Sequence, residues 1–166
     1  MKVIGIVAIS INGMIAQRPL QQSLDWTSQE DTEHFKRITE EAGVVIVGRK
    51  TYELIGKPLK GRSTVVLTKT PEQFENQEGV RFTDQDPKEA LEALKEDGQG
   101  QVAVIGGQEV YSQFLKEGLL TDLYVTIEPV LFGSGVNLSV GFDRIDAYLQ
   151  SVEKLGDTSV LLHYTL

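Results

Sequence analysis

The stretch LDWTSQEDTEHFKRIT, residues 24–39, contains the first side chain with clear chemical potential. Thr27 with Glu30, and Ser28 with Asp31, both fit the pattern in which a hydroxyl caps a helix and an acid three residues on closes the box. A helix starting there places Asp31, Phe35 and Ile38 at i, i+4 and i+7, on one stripe. Phe35 and Ile38 are residues such a helix buries, so a carboxylate heads an apolar face. Burying a carboxylate without a partner is costly, and an acid in that position points to a ligand-facing cleft. A helix phased one residue differently makes Asp31 an ordinary first-turn acid, stabilised by the helix dipole. Spacing alone leaves both readings open.

Two other stretches have the chemistry of anion sites. In VVIVGRKTYE an apolar run reaches Gly48, and Arg49, Lys50 and Thr51 then open a short helix. In VAVIGGQEVY a similar run reaches Gly106-Gly107 before the next helix. Helix N-termini present unpaired N–H groups and partial positive charge, and glycine lets a ligand approach the backbone. Cations at a helix start oppose the dipole preference for acids, which favours a bound anion there. Solvent-facing cations on a plain turn are the competing explanation. Gly106-Gly107 is neither a full dinucleotide fingerprint nor a P-loop, and serves equally as steric relief. Thr68, Lys69 and Thr70 follow a third apolar run; Lys-Thr-Pro is also an ordinary way to leave a strand.

The elements that must position these residues alternate along the chain. VIGIVAI (3–9), VVIV (44–47), STVVLT (63–68), VRF (80–82), VAVI (102–105) and LYVTI (123–127) read as strands, most of them continuous enough to be buried on both faces. SQEDTEHFKRITEE, KTYELIG, DPKEALEALKEDG and QEVYSQFLKEG read as helices, with Gly56, Gly98 and Gly118 ending the last three. The alternation predicts an α/β fold: a mostly parallel central sheet with flanking helices. YLQSVEKLGDTSVLLHYTL reads as a closing C-terminal antiparallel hairpin around Gly-Asp. With no repeat or linker, residues 1–166 read as a single domain. Ligands of such sheets bind beyond the carboxyl ends of the strands, where the glycine junctions fall.

Composition narrows the function. A net charge of −8 disfavours nucleic acid and acidic membrane surfaces, but leaves room for a phosphorylated cofactor where cations gather. The chain has no cysteine and two histidines, His34 and His163, so no metal site is expected. The apolar start MKVIGIVAIS is too short for a signal peptide or a span, and a cytoplasmic protein is expected. The apolar character of VLFGSGVNLSVGF fits either a homodimer interface or a sheet edge.

AISINGMIA, a Trp followed by EDTEHFK, VIVGRKTYELIGKPLKGR, VVLT, VIGGQEVYSQFL and LYVTIEP occur in one order along nearly the whole chain. In that order and spacing the sequence resembles the dihydrofolate reductase family. The resemblance implies NADPH as hydride donor, dihydrofolate as substrate, and a pterin held between the first strand and the helix bearing Asp31. It makes Asp31 the active-site carboxylate, Trp26 the tryptophan before it, Thr126 the threonine bonded to the acid, and Tyr111 the tyrosine beside the nicotinamide. Val7, Ala8, Phe35, Ile55, Leu59 and Ile105 match substrate-lining positions, and Arg62 the arginine that holds the folate tail's carboxylate. Ala8, Ile15, Gly48, Arg49, Lys50, Thr51, Thr68, Lys69, Ile105, Gly106, Gly107, Gln108 and Val110 match cofactor positions. The segment from Asn12 to Asp25 lies where the family has a mobile lid, or forms only a long surface loop.

Some features depart from that pattern. AISINGMIA and IEPVLFGSGVNL are closer to riboflavin-pathway reductases and reductase-like proteins of the same fold, and Thr32 stands where an apolar residue often borders the pterin. An NADPH-dependent reductase of another heterocycle, such as a ribosylamino-pyrimidine, is therefore the main alternative; it would have no use for Arg62. A non-enzymatic ligand-binding module is the third reading, in which Asp31 would matter only for stability.

Overall fold

Runs of Val and Ile build the sheet, because β-branched side chains pack well on a pleated surface buried on both sides. The computed structural model describes residues 1–166. Its main sheet contains β1 (Lys2–Ser10), β3 (Val44–Gly48), β4 (Ser63–Leu67), β5 (Val80–Thr83), β6 (Gln101–Val104), β7 (Asp122–Glu128), β9 (Tyr148–Leu155) and β10 (Ser159–Thr165). Their order across the sheet is β5-β4-β3-β6-β1-β7-β10-β9. Pairing is parallel from β5 to β7, and antiparallel where β10 meets β7 and β9 meets β10. The expected mostly parallel sheet and closing hairpin are both present.

Helices α1 (Gln29–Ala42), α2 (Arg49–Ile55), α3 (Pro87–Glu96) and α4 (Gln108–Lys116) flank the sheet. Ile38 and Ala42 of α1 join Ile4, Ile6, Val45, Val47, Val66 and Ile105 in a core on one face. Leu91 and Leu94 of α3, with Val110, Tyr111 and Phe114 of α4, join Val3, Val7, Ile46 and Val104 on the other. Alternate residues of each strand thus feed opposite cores, which is why the strands read as continuous apolar runs. Gly56, Gly98 and Gly118 take positive φ values of 71°, 84° and 62° at or just past the ends of α2, α3 and α4.

Three local readings change. Only Ser28 caps α1, its side chain accepting from the Asp31 N–H, so the Thr27–Glu30 box does not form. The segment after Asn12 is not loop throughout: β2 (Met14–Ala16) pairs with β8 (Val136–Asn137) as a separate ribbon. VLFGSGVNLSVGF is accordingly neither an edge of the main sheet nor wholly exposed. It supplies β8, and its Phe132 is buried with its ring edge-on to Trp26 at 5.2 Å. Both ribbon strands are too short for a period-two signal to register in sequence.

Away from the glycine junctions, Asp122 anchors the chain start and the last strand. Its carboxylate bonds Thr121 at 2.7 Å and His163 at 2.8 Å, and pairs with Lys2 at 3.2 Å. Burial alone would raise its pKa, but these three partners outweigh it and hold the carboxyl below the usual range. A depressed carboxylate contributes stability above its unfolded pKa and loses it as pH falls through the folded one. Asp122→Asn should therefore cost about 1–3 kcal/mol at pH 7. It should also flatten the acid limb of stability in urea unfolding followed across pH; an unchanged limb would refute the assignment.

Candidate active site

The carboxyl ends of β1, β3, β4 and β6 open into one cleft of about 1170 Å³. That exceeds the ~300–1,000 Å³ of a single drug-sized ligand pocket and leaves room for two ligands side by side. The cleft lies where the strand order reverses around β1 and β6, as expected for a parallel sheet. Val7, Ala8, Ile15, Asp31, Phe35, Gly48, Arg49, Lys50, Thr51, Ile55, Leu59, Arg62, Thr68, Lys69, Ile105, Gly107, Gln108, Val110 and Tyr111 all line it. Sequence positions as far apart as 7 and 111 meet there because each follows or faces a strand end.

Trp26, Thr126 and Gly106 do not line the cleft; they stand behind it. Thr126, 1% exposed on β7, and Thr27 bring hydroxyls beside the Asp31 carboxylate. The Trp26 indole Nε1 is buried with no partner in the protein. Gly106, at φ 97°, has Tyr111 against it: an added Cβ would lie 2.8 Å from the ring. A Cβ on Gly107 would likewise lie 2.8 Å from the Thr51 hydroxyl. Both glycines therefore give steric relief, and Gly107 also bares its backbone to the cleft.

Asp31 is buried, at 9% exposure, yet its carboxyl reaches the cleft. Burial raises its pKa most, the nearby Glu128 raises it further, and the Thr126 and Thr27 hydroxyls pull it back only in part. Tyr111 donates to the Ile6 carbonyl at 2.6 Å, and burial followed by the Asp31 charge keeps its phenol protonated. The apolar half of the cleft is formed by Phe35, Ile55 and Leu59, which pack on the α1-side core. Arg62 closes that half: Nη1 donates to Thr39 at 2.7 Å and Nε to the Lys60 carbonyl at 3.0 Å. Partial burial lowers its pKa while Glu40 opposes the shift.

The other half is lined by glycines and by charges of both signs, Arg49, Lys50 and Lys69 with Asp84, Asp86 and Glu109. The Arg49 guanidinium already bonds both Glu53 oxygens at 2.8 Å, so its place at the α2 start is explained without a bound anion. Lys50 and Lys69 are exposed and form no ion pair. The segment after Ala16 crosses one side of the cleft, with Arg18, Leu20 and Leu24 lining it and Gln22 bonding the Leu54 carbonyl at 3.0 Å. Lining residues that sequence reasoning passed over include Ile6, Lys36 and Leu67. Each adjoins a named position and was detectable on that ground. Glu128, two residues beyond Thr126 and on the same strand face, was detectable by that spacing alone.

Fold and cleft define an α/β protein with its ligand site at the switch point of the sheet. The chain belongs to the dihydrofolate reductase family, whose model, described as "Dihydrofolate reductase", matches residues 2–131, and it is thereby a reductase-type oxidoreductase. It is 28% identical to the uncharacterized protein YwjB of Bacillus subtilis, over 98% of this chain and 97% of that one. It is 34% identical to the dihydrofolate reductase of Buchnera aphidicola, over 77% of this chain and 72% of the relative. In three dimensions it resembles a pyrimidine reductase-like protein from Corynebacterium diphtheriae, with TM-score 0.78 and 17% identity over 99% and 91% of the two chains. That last likeness concerns the fold. No helix is long and apolar enough to cross a membrane.

An acid whose pKa is raised in the fold destabilises it when ionised. Stability falls as pH rises from the unfolded to the folded pKa, and stays lowered above. Asp31→Asn should therefore raise the urea midpoint at pH 7, with the gain vanishing below the ordinary aspartate range. Equal midpoints at pH 7 would show that burial costs Asp31 nothing.

Proposed function

We propose that the protein reduces 7,8-dihydrofolate to 5,6,7,8-tetrahydrofolate with NADPH. The observation that carries this reading is the buried Asp31 carboxylate, one turn before Phe35 on the same face of α1, in the half of the cleft that Ile55 and Leu59 also line. Two carboxylate oxygens match the parallel donors of an amino-pyrimidine edge, as in other bidentate pairs. Thr126 and Thr27 supply hydroxyls that can orient those oxygens. Desolvation strengthens the charge–dipole interaction, so Asp31 raises the proton affinity of the ring it holds. Phe35 and the aliphatic side chains sandwich a flat aromatic system, and Arg62 is placed to meet a tail carboxylate with the nitrogen left free of Thr39 and Lys60.

The glycine-lined half supports NADPH as the cofactor. Gly48 and Gly107 bare the backbone beside the starts of α2 and α4, and Lys50, Thr51, Thr68 and Lys69 supply charge and hydroxyls for phosphates. When bound, NADPH supplies the hydride. The chain's own contribution is proximity, exclusion of water and a fixed field.

A pyrimidine substrate is the second reading, favoured by the full-length likeness to the pyrimidine reductase-like protein. One experiment separates them: oxidation of NADPH on adding dihydrofolate, for the parent protein, Asp31→Asn and Arg62→Ala. Asp31→Asn should lose about 10²–10⁴-fold in turnover. Arg62→Ala should raise KM for dihydrofolate by roughly 10–100-fold with little change in kcat. Full activity in Arg62→Ala would move the substrate to a heterocycle without a carboxylate tail. No oxidation with dihydrofolate would sink the folate reading outright.

A further inference from the structure

A second carboxylate lies behind Asp31. Glu128, at the end of β7, is 1% exposed and does not line the cleft. Its Oε1 accepts from the Ser28 N–H and the Ser28 hydroxyl, both at 2.8 Å, and its Oε2 accepts from the buried Ser159 hydroxyl at 2.6 Å. Ser28 is also the cap of α1, accepting from the Asp31 N–H at 3.2 Å. A continuous chain of hydrogen bonds therefore runs from Ser159 on β10, through Glu128 and Ser28, to the backbone of Asp31. Three donors on two oxygens fit an ionised carboxylate. A glutamate at this depth needs a reason, because an apolar residue would fill the space with no desolvation penalty.

We propose that Glu128 is a positioning residue for Asp31: it clamps the first turn of α1 to β7 and β10, and sets a fixed negative charge behind the cleft's acid. Without the clamp only the Ser28 cap would anchor the helix start, and the acid would move with the turn that carries it. Without the charge, Asp31 would ionise more readily and polarise a bound ring less. The surroundings of Asp31 single Glu128 out. Tyr111 faces Asp31 from α4 and is neutral, while β1 presents Ile6, Val7 and Ala8. Thr27 and Thr126 are uncharged donors, and Glu30 on the same helix turns away over Gly156 in the β9–β10 turn. Glu128 is the nearby charge that raises the Asp31 pKa, the direction proposed.

The inference rests on the reductase reading only where turnover is the measurement, so the test has two arms. In the first, the Asp31 carboxyl is titrated by carbon NMR in protein labelled at aspartate, with Asp31→Asn identifying its resonance. Glu128→Gln keeps shape and loses charge; the Asp31 midpoint should move down. Glu128→Asp keeps charge and loses reach; the midpoint should stay closer to that of the parent. In the second arm, Glu128→Asp should raise KM for dihydrofolate roughly tenfold, as a slightly displaced carboxylate would. An Asp31 midpoint unchanged in folded Glu128→Gln overturns the proposal. Should that variant not fold, Glu128→Asp with the parent's KM overturns it instead. A parent protein inactive with dihydrofolate refutes the folate reading, while the titration still decides the role of Glu128.

Discussion

The hydrogen bonds converging on Glu128 hold the start of α1 against β7 and the last strand, and the position of the cleft's acid depends on that contact. Phe35 and Ile38 follow from it, because a helix fixed at its first turn and buried along one stripe has no remaining freedom to rotate. Putting two carboxylates out of water is expensive, and the fold offsets the expense in different ways. Glu128 is satisfied by three protein donors. Asp31 is left partly unsatisfied, with hydroxyls on its inner side and the cleft on its outer side. The asymmetry distinguishes a structural acid from one available to a ligand.

The two halves of the cleft use different physics. On the α1 side, apolar packing and one carboxylate select a flat, partly polar ring. On the other side, bare backbone and exposed lysines suit phosphate, whose binding depends on charge more than on shape. Both halves meet at β1 and β6, the strands on which the order of the sheet reverses. Packing fixes that meeting point: Tyr111 is anchored on the Ile6 carbonyl and presses on Gly106, so α4 and the glycine junction cannot separate from β1. The ribbon of β2 and β8 adds a third wall from a segment whose polar sequence gave little sign of order.

Much of this was legible from residue order. Continuous Val and Ile runs between helical patterns determined the parallel sheet, and glycines marked three helix ends. Asp31 at the head of the Phe35–Ile38 stripe marked the acid, since a helix repeats every 3.6 residues whatever surrounds it. The glycine junctions marked the strand ends, and the charge balance left room for a phosphate-bearing ligand only where cations cluster.

Tertiary structure decided the rest, because partners distant in sequence leave no periodic trace. Arg49 read equally as an anion contact or a solvent-facing cation until the fold showed it bonded to Glu53. Thr27 and Ser28 were equal candidates for the cap until Glu128, a hundred residues from Ser28, chose between them by accepting from it. Gly106-Gly107 could not be assigned until Tyr111 and Thr51 were found against the two glycines. The sequence by itself determined which residues could do chemistry and which strands would carry them. Only the folded chain decided which acid faces the cleft and which is locked behind it, because burial and hydrogen-bond satisfaction belong to the packed structure rather than to any local segment.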